Sequence, residues 1–252
     1  REDSEMVAIG GPDTLRLRTP VPLKGRDLTT VGTFTVSADQ KIPLVLSWHA
    51  SHERPPPAEA DPAAAVTATA ERWRHWAARC QFPGRGAVRE AVVRSLLTLK
   101  ALTYEPTGGI VAAPTTSLPE WIGGVRNWDY RYCWVRDSTF TLYSLLSAGY
   151  IKEAEHWRTW LVRALAGTPE QASIMYGLAG ERRLTEQTLP WLPGYEGSCP
   201  VRIGNGAHTQ LQLDIFGELM DTLHLARRSG LPIDDNAWQV QKAMLRHLAS
   251  IW

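Results

Sequence analysis

Apolar and polar positions change period along this 252-residue chain, and the change divides it. In the first fifty residues they alternate or gather β-branched side chains: Thr14-Leu15-Arg16-Leu17-Arg18, Val31 to Val36, and Ile42 to Trp48, separated by Pro and Gly turns. Ser37-Ala38-Asp39-Gln40 predicts a hairpin between the last two runs. Three strands do not make a stable sandwich alone, so 1–52 reads as the tail of a larger β domain. A Pro- and Ala-rich linker with Pro55, Pro56 and Pro57 in a row follows, and 53–85 is assigned to linker plus linker helix. From there the period is helical. The spacing predicts helices over about 64–80, with Trp73 and Trp76 on one face, and 88–103, with Val92, Leu96, Leu99 and Leu102 on one stripe. It predicts others over 138–146, 151–165, 208–228 and 236–252, with Gly149, Gly167 and Gly230 as stops. Short helices joined alternately by very short and very long connections predict a mainly α fold of stacked αα-hairpins over 86–252. The long connections, 104–137 and 168–207, exceed ordinary helix–helix loops and are the expected carriers of function. No repeat of tetratricopeptide or ankyrin type is present, which disfavours a regular solenoid.

Composition narrows the function classes. A formal charge of +1 gives no reason to expect nucleic acid or an acidic membrane surface. No apolar run approaches the ~20 residues of a membrane helix, and no leader-like segment opens the chain. Cys80, Cys133 and Cys199 are far apart and odd in number, which argues against a disulfide scaffold and points to a reducing, cytoplasmic setting. They are expected to be structural, Cys133 as a small buried hydrophobe. Neither Cys-x-x-Cys nor a His–Cys cluster occurs, so no metal and no cofactor is expected. The 11 Trp exceed what a helical core of this size needs and lean towards a ring-lined ligand surface.

The densest chemistry lies in Asn127 to Ser138, NWDYRYCWVRDS. Four large aromatics alternate with two Arg and two Asp. A core segment does not carry four charges without partners, and a surface segment does not carry four large rings. The mixture suits a pocket for a polar ligand with apolar faces, which describes a sugar: rings cover the CH faces of a pyranose while Arg and Asp bond its hydroxyls.

The stretch AAPTTSLPEWIGGVRNWDYRYCWVRDS (112–138) resembles the signature of glycoside hydrolase family 15, the bacterial glucoamylase, glucodextranase and trehalase group. VREAVVRSLLTLKALTYEPT (88–107) and PVRIGNGAHTQLQLDIFGE (200–218) resemble the same family, in the same order. The resemblance implies an N-terminal antiparallel β-sandwich, a helical linker and a catalytic (α/α)6 six-hairpin toroid. It also implies inverting hydrolysis of an α-glucosidic bond at a non-reducing-end glucose. Inversion uses two carboxyl groups roughly 6.5–9.5 Å apart, one protonating the leaving oxygen and one activating water. The expected partner is trehalose or a glucose-containing malto- or isomalto-oligosaccharide. Trehalose comes first, because the WDYRYCWVRD form is common in trehalase-like members.

By the same resemblance Tyr130, Trp134, Arg136 and Asp137 hold the terminal glucose. Asp137 can accept from two vicinal hydroxyls, Arg136 can donate two parallel bonds, Tyr130 can face developing oxocarbenium charge, and Trp134 can supply an apolar wall. From the residues alone, an Arg136–Asp137 salt bridge with Asp137 capping the next helix remains open. Trp128, Asp129 and Arg131 are expected behind these, holding the loop in shape. Asn205 approaches the sugar again, with Arg202, His208 and Gln210 as neighbours, although a turn role for Asn205 between Gly204 and Gly206 is the competing reading.

Asp214 and Glu218 share a helix face but belong to a helix that is structural in the family, so they are set aside as acid and base. Glu196 in PGYEGSCP is expected to be exposed. The general acid and base are expected beyond Trp252, and no residue of this chain is assigned as catalytic. The expectation is therefore a truncated barrel that holds the glucose-binding half of the site, is inactive alone, and self-associates through its exposed helix faces. A non-catalytic carbohydrate-binding module on a decayed barrel and a six-hairpin phosphorylase are the rival readings.

Overall fold

The computed structural model describes residues 5–58, 61–116 and 118–252. Residues 1–4, 59–60 and 117, parts of the expected β segment, the linker and the aromatic-rich block, lie outside the described residues. The chain divides into two compact units, Arg1–His75 and Trp76–Trp252. The described residues form a mainly α fold with several small antiparallel sheets.

In the first unit, strands β1 (Glu5–Gly10), β2 (Asp13–Arg18) and β5 (Val45–Ala50) form an antiparallel sheet in the order β1-β2-β5. The register pairs Glu5 with Arg18, and the Glu5 carboxylate meets Arg16 Nη1 at 2.7 Å and Arg18 Nε at 3.1 Å. Thr14 and His49 face each other on the buried side, as period-2 alternation requires. Strands β3 (Leu23–Arg26) and β4 (Thr29–Gly32) make a separate hairpin.

This corrects the expected pairing. Ser37 and Gln40 do form a turn, with the Gln40 amide donating to the Ser37 carbonyl at 3.1 Å, but no strand flanks it. β4 stops at Gly32, and the third run becomes a strand only at Val45, after Pro43, which has no N–H to give to a ladder. The hairpin turn falls instead at Asp27-Leu28, both at positive φ (48° and 60°), and β5 pairs back to β2.

The helices are α1 (Pro62–Ala78), which runs across the division, α2 (Gly86–Ala101), α3 (Val135–Ser147), α4 (Ile151–Ala164), α5 (Asp214–Arg228) and α6 (Asp235–Ile251). Proline at the first position and Asp61, whose Oδ1 accepts the Ala64 amide at 3.0 Å, start α1. Gly149 at φ +87° lets the chain turn from α3 into α4 within three residues. That φ strains any residue with a Cβ, which here would also push on the Gln81 side chain at 2.5 Å, so the position favours glycine. The 208–228 helix is shorter than expected. Residues 206–209 form a separate 3-10 turn, Gln210 is extended (ψ 140°), and α5 begins at Asp214.

The second unit buries two clusters. The larger joins Cys133 and Trp134, the Trp157/Trp160 face of α4, Met175 and Tyr176, and Ile215, Phe216, Leu219 and Leu223 of α5. The smaller stacks Trp76 on Tyr150 (ring centroids 4.0 Å, 15° between planes) beside Cys80, Leu96 and Leu145. There the buried Glu153 accepts from Trp76 Nε1 at 2.7 Å, with Arg79 and Lys100 each 3.6 Å away. Burial pushes the Cys133 thiol up to about 12, so it is an inert core group. Cys80 is buried as well, whereas Cys199 is exposed.

Candidate functional site

The segment that precedes α3 is pinned by backbone bonds before any side chain acts. The Ala112 and Ala113 amides donate to the carbonyls of Tyr132 (3.0 Å) and Tyr130 (2.9 Å). Strand β6 (Cys133–Trp134) then pairs antiparallel with β7 (Met175–Tyr176). Alternation along this extended stretch sends Asn127, Asp129 and Cys133 inward and leaves Trp128, Tyr130 and Tyr132 half-buried. A short ladder of β8 (Gln187–Thr188) with β9 (Arg202–Ile203) brings the 200–210 block alongside.

Asp129 ties the two blocks together. It is fully buried, and its Oδ1 accepts from the Arg131 amide (3.1 Å) and Nε (2.9 Å). Its Oδ2 accepts from Arg131 Nη2 (2.8 Å) and from the Gly204 amide (3.2 Å), while its backbone carbonyl accepts from Asn205 Nδ2 (3.1 Å). Burial pushes the Asp129 carboxyl up. The Arg131 bonds and charge and the Gly204 amide outweigh it, so the group sits below the usual carboxylate range. Gly204 must be glycine: its φ is +74° and a Cβ would lie 2.0 Å from the Thr185 carbonyl oxygen. Asn205 is buried and both ends of its amide are engaged, since Oδ1 accepts the Ala207 amide at 3.0 Å and caps the 3-10 turn.

Arg202 is also engaged. Its guanidinium lies 4.6 Å over the Trp128 ring, donates to the Val125 and Asn127 carbonyls, and pairs with Glu186 at 3.2 Å. His208 Nδ1 contacts the Asn205 carbonyl at 2.9 Å. Together, Trp128, Asp129, Arg131, Arg202, Asn205 and His208 form one interlocked frame.

In front of this frame the rings of Tyr130 and Trp134 lie 5.5 Å apart at 60°. Trp134 is buried, and Tyr130 is half-buried. The Tyr130 phenol is raised by burial and then by the neighbouring Glu120 and Asp137 carboxylates. Glu120, paired with Arg126 at 2.9 Å, is thus a carboxylate beside Tyr130 that the sequence reading missed. Its only sequence signal is a lone acid inside an aromatic-rich loop.

Arg136 and Asp137 occupy the first turn of α3, and both are exposed. The two do not pair with each other. Arg136 Nη1 donates to Asp214 Oδ2 at 3.0 Å and reaches Gln212 Oε1 at 3.5 Å, and Gln212 Nε2 donates in turn to Gln210 Oε1 at 3.0 Å. The helix makes no side-chain cap through Asp137, because its N-cap position is Trp134. The Asp137 carboxylate has no hydrogen-bond or ion-pair partner among the described residues, and the positive end of α3 favours its charge. An unengaged carboxylate close to the Tyr130 ring, preceded along the same helix turn by an oriented guanidinium, offers the acceptor and donor groups a polyhydroxylated ligand needs.

Two other expectations have definite positions. Glu196 is exposed in a 3-10 turn, at φ +47°. On α5 the Glu218 carboxyl is raised by burial and then by Asp214 and Asp221, with Arg136 opposing them. Four tryptophans, Trp76, Trp134, Trp157 and Trp160, are buried, whereas Trp121 and Trp191 are exposed on the two long connections. Those connections are joined where the Gly123 amide donates to Ser198 Oγ at 2.8 Å. Among the described residues no group of His, Cys, Asp or Glu is arranged to hold a metal ion, and no helix is long and apolar enough to cross a membrane.

The family model for glycosyl hydrolases family 15 matches residues 86–252. A trehalase of Mycolicibacterium smegmatis is 41% identical over 244 residues, 95% of this chain and 36% of that protein. A trehalase of Mycobacterium tuberculosis is 40% identical over 245 residues, 95% of this chain and 35% of that protein. A trehalase of Thermoplasma acidophilum is 38% identical over 184 residues, 73% of this chain and 31% of that protein. The chain spans about a third of the length of these curated relatives. No solved structure matches it.

Proposed function

We infer, from a chain that belongs to the glycosyl hydrolases of family 15, that the protein hydrolyses an α-glucosidic bond at a terminal glucose, with trehalose as substrate. Relatives named as trehalases at 38–41% identity support that substrate. The unengaged Asp137 carboxylate beside the oriented Arg136 and the Tyr130/Trp134 rings carries the reading.

Asp137 accepts from two vicinal hydroxyls of the terminal glucose, Arg136 donates to a third oxygen, and Trp134 covers a CH face. Tyr130 faces the ring where positive charge develops, with the Glu120 and Asp137 charges nearby to favour it. Asn205, Arg202, Asp129 and Arg131 hold the wall, and Gln210 acts through Gln212 on Arg136. The proton-transferring pair is not assigned to these residues, and the 252 residues alone are proposed to release no glucose. The αα-hairpins are proposed to belong to an (α/α)6 toroid, and β1, β2 and β5 to a β-sandwich. Unpaired, scattered cysteines support a cytoplasmic setting.

The test is proton NMR of the first products from trehalose with the full-length protein. An inverting hydrolase releases one α- and one β-glucose from the α,α-linked disaccharide. Two α-glucoses would replace inversion by retention. One glucose and one glucose 1-phosphate as products would make the protein a phosphorylase, and binding without turnover would make it a carbohydrate-binding module.

A further inference from the structure

We propose that Asp214 is a positioning residue of the sugar site. Its carboxylate draws the Arg136 guanidinium off the neighbouring Asp137 and so keeps Asp137 free to accept sugar hydroxyls. The proposal rests on the glucose grip described above.

Arg136 and Asp137 are consecutive in α3 and carry opposite charges at the rim of one site. An aspartate neutralised by the adjacent arginine has fewer lone pairs for a ligand, and the arginine has fewer N–H groups. The structure supplies a competing acceptor. Asp214, the first residue of α5, takes Arg136 Nη1 at 3.0 Å, and Gln212, held by Gln210, adds a weaker contact at 3.5 Å. Both ends of this bridge are fixed from below. Thr222 Oγ1 donates to Thr139 Oγ1 at 2.7 Å, and Thr139 and Thr222 each reach the Glu218 carbonyl, which locks α3 to α5 one turn beneath the rim. Ile215 and Phe216, immediately after Asp214, are buried in the core and set its direction.

Stability does not account for the pair. Both side chains are nearly half exposed (45% and 43%), and ion pairs this open add little to folding. Asp214 also sits near Glu218 and Asp221, so the helix already carries excess negative charge there, and Arg136 is the cation that faces it. The arrangement holds the Arg136 guanidinium in one orientation, turned towards α5 and away from the carboxylate of the next residue.

The experiment is steady-state hydrolysis of trehalose by the full-length protein carrying Asp214→Asn, Asp214→Ala, Arg136→Ala and the double change Arg136→Ala with Asp214→Ala. Asp214→Asn keeps the shape and removes the charge, so it carries the test if Asp214→Ala fails to fold. The expected result is a fall in kcat/KM of about tenfold for either Asp214 change. It appears mainly in KM, is restored by Asp214→Glu, and the melting temperature is nearly unchanged. The double change is expected to be no worse than Arg136→Ala alone, because Asp214 acts only through Arg136. Additive losses, or an Asp214→Asn enzyme as active as the parent while Arg136→Ala is impaired, overturn the positioning role and leave the glucose grip standing. If Arg136→Ala is itself as active as the parent, the grip fails and the positioning role falls with it.

Discussion

The frame around Asp129 and the rim at Arg136–Asp137 are made from the same residue types and stand in opposite states. In the frame the Asp129 carboxylate is fully engaged: it accepts from an arginine and from two backbone amides, and an asparagine bonds its backbone carbonyl. At the rim the carboxylate of Asp137 has no partner among the described residues, and its neighbouring arginine is turned towards another helix. Asp129 and Asp137 are eight positions apart in the chain, yet one carboxylate is tied into the frame and the other has no partner among the described residues. Burial decides this. A carboxylate with no exposure must be satisfied by the protein, whereas an exposed one at a helix N-terminus is stable in water and can exchange water for a ligand.

Changes in the frame should therefore damage folding before function. Asp129→Ala leaves the Gly204 amide without its carboxylate and returns the partly exposed Arg131 guanidinium to water, and is expected to cost about 1–3 kcal/mol. Thermal or urea unfolding measures it, and a loss below about 1 kcal/mol would show that water replaces the carboxylate. Gly204→Ala forces a side chain into positive φ and against the Thr185 carbonyl, and is expected to cost about 1–3 kcal/mol or more. Asn205→Ala removes a turn cap and one bond to the Asp129 carbonyl, for about 1–2 kcal/mol by the same measurement.

The frame also sets an acid limit. The Asp129 carboxyl is lowered in the fold, so the unfolded chain binds the proton more readily. Its stabilisation is fully present above the unfolded carboxylate's pKa of about 3.9 and disappears as pH falls through the lower folded value. Urea midpoints recorded from neutral pH down to this range should decline more steeply for the parent than for Asp129→Asn, which cannot titrate there. At the rim the expected stability effects are smallest: replacing either partner of the Arg136–Asp214 pair should shift folding by at most about 1 kcal/mol.

Much of the helical layout is legible in the chain. Apolar spacing and glycine stops locate α1 to α4 and α6 to within a few residues, because packing of one face and the end of a helix are local events. The β pairing is less legible. Two runs flanking Ser37–Gln40 read as a hairpin, but Pro43 and the left-handed Asp27-Leu28 turn send β5 to β2, a choice made by long-range pairing. The aromatic and charged character of Asn127–Ser138 is visible in the sequence and is the ground on which a ligand is expected there. The partner of Arg136 is not marked, since a residue 78 positions away takes it in preference to its neighbour. Glu120 is invisible for the same reason: nothing in PEWIGG announces that its acid lies beside Tyr130.

The most direct measurement is kcat/KM for trehalose of the full-length protein with Asp137→Asn, alongside its melting temperature. If the free carboxylate grips two hydroxyls, losing two charge-assisted bonds at about 1.5–3 kcal/mol each lowers kcat/KM by about a hundredfold or more. The melting temperature stays within about 2 °C of the parent, because no protein group depends on that side chain. Activity within about threefold of the parent, or a collapse of the fold, would contradict the division between a rim that binds and a frame that holds.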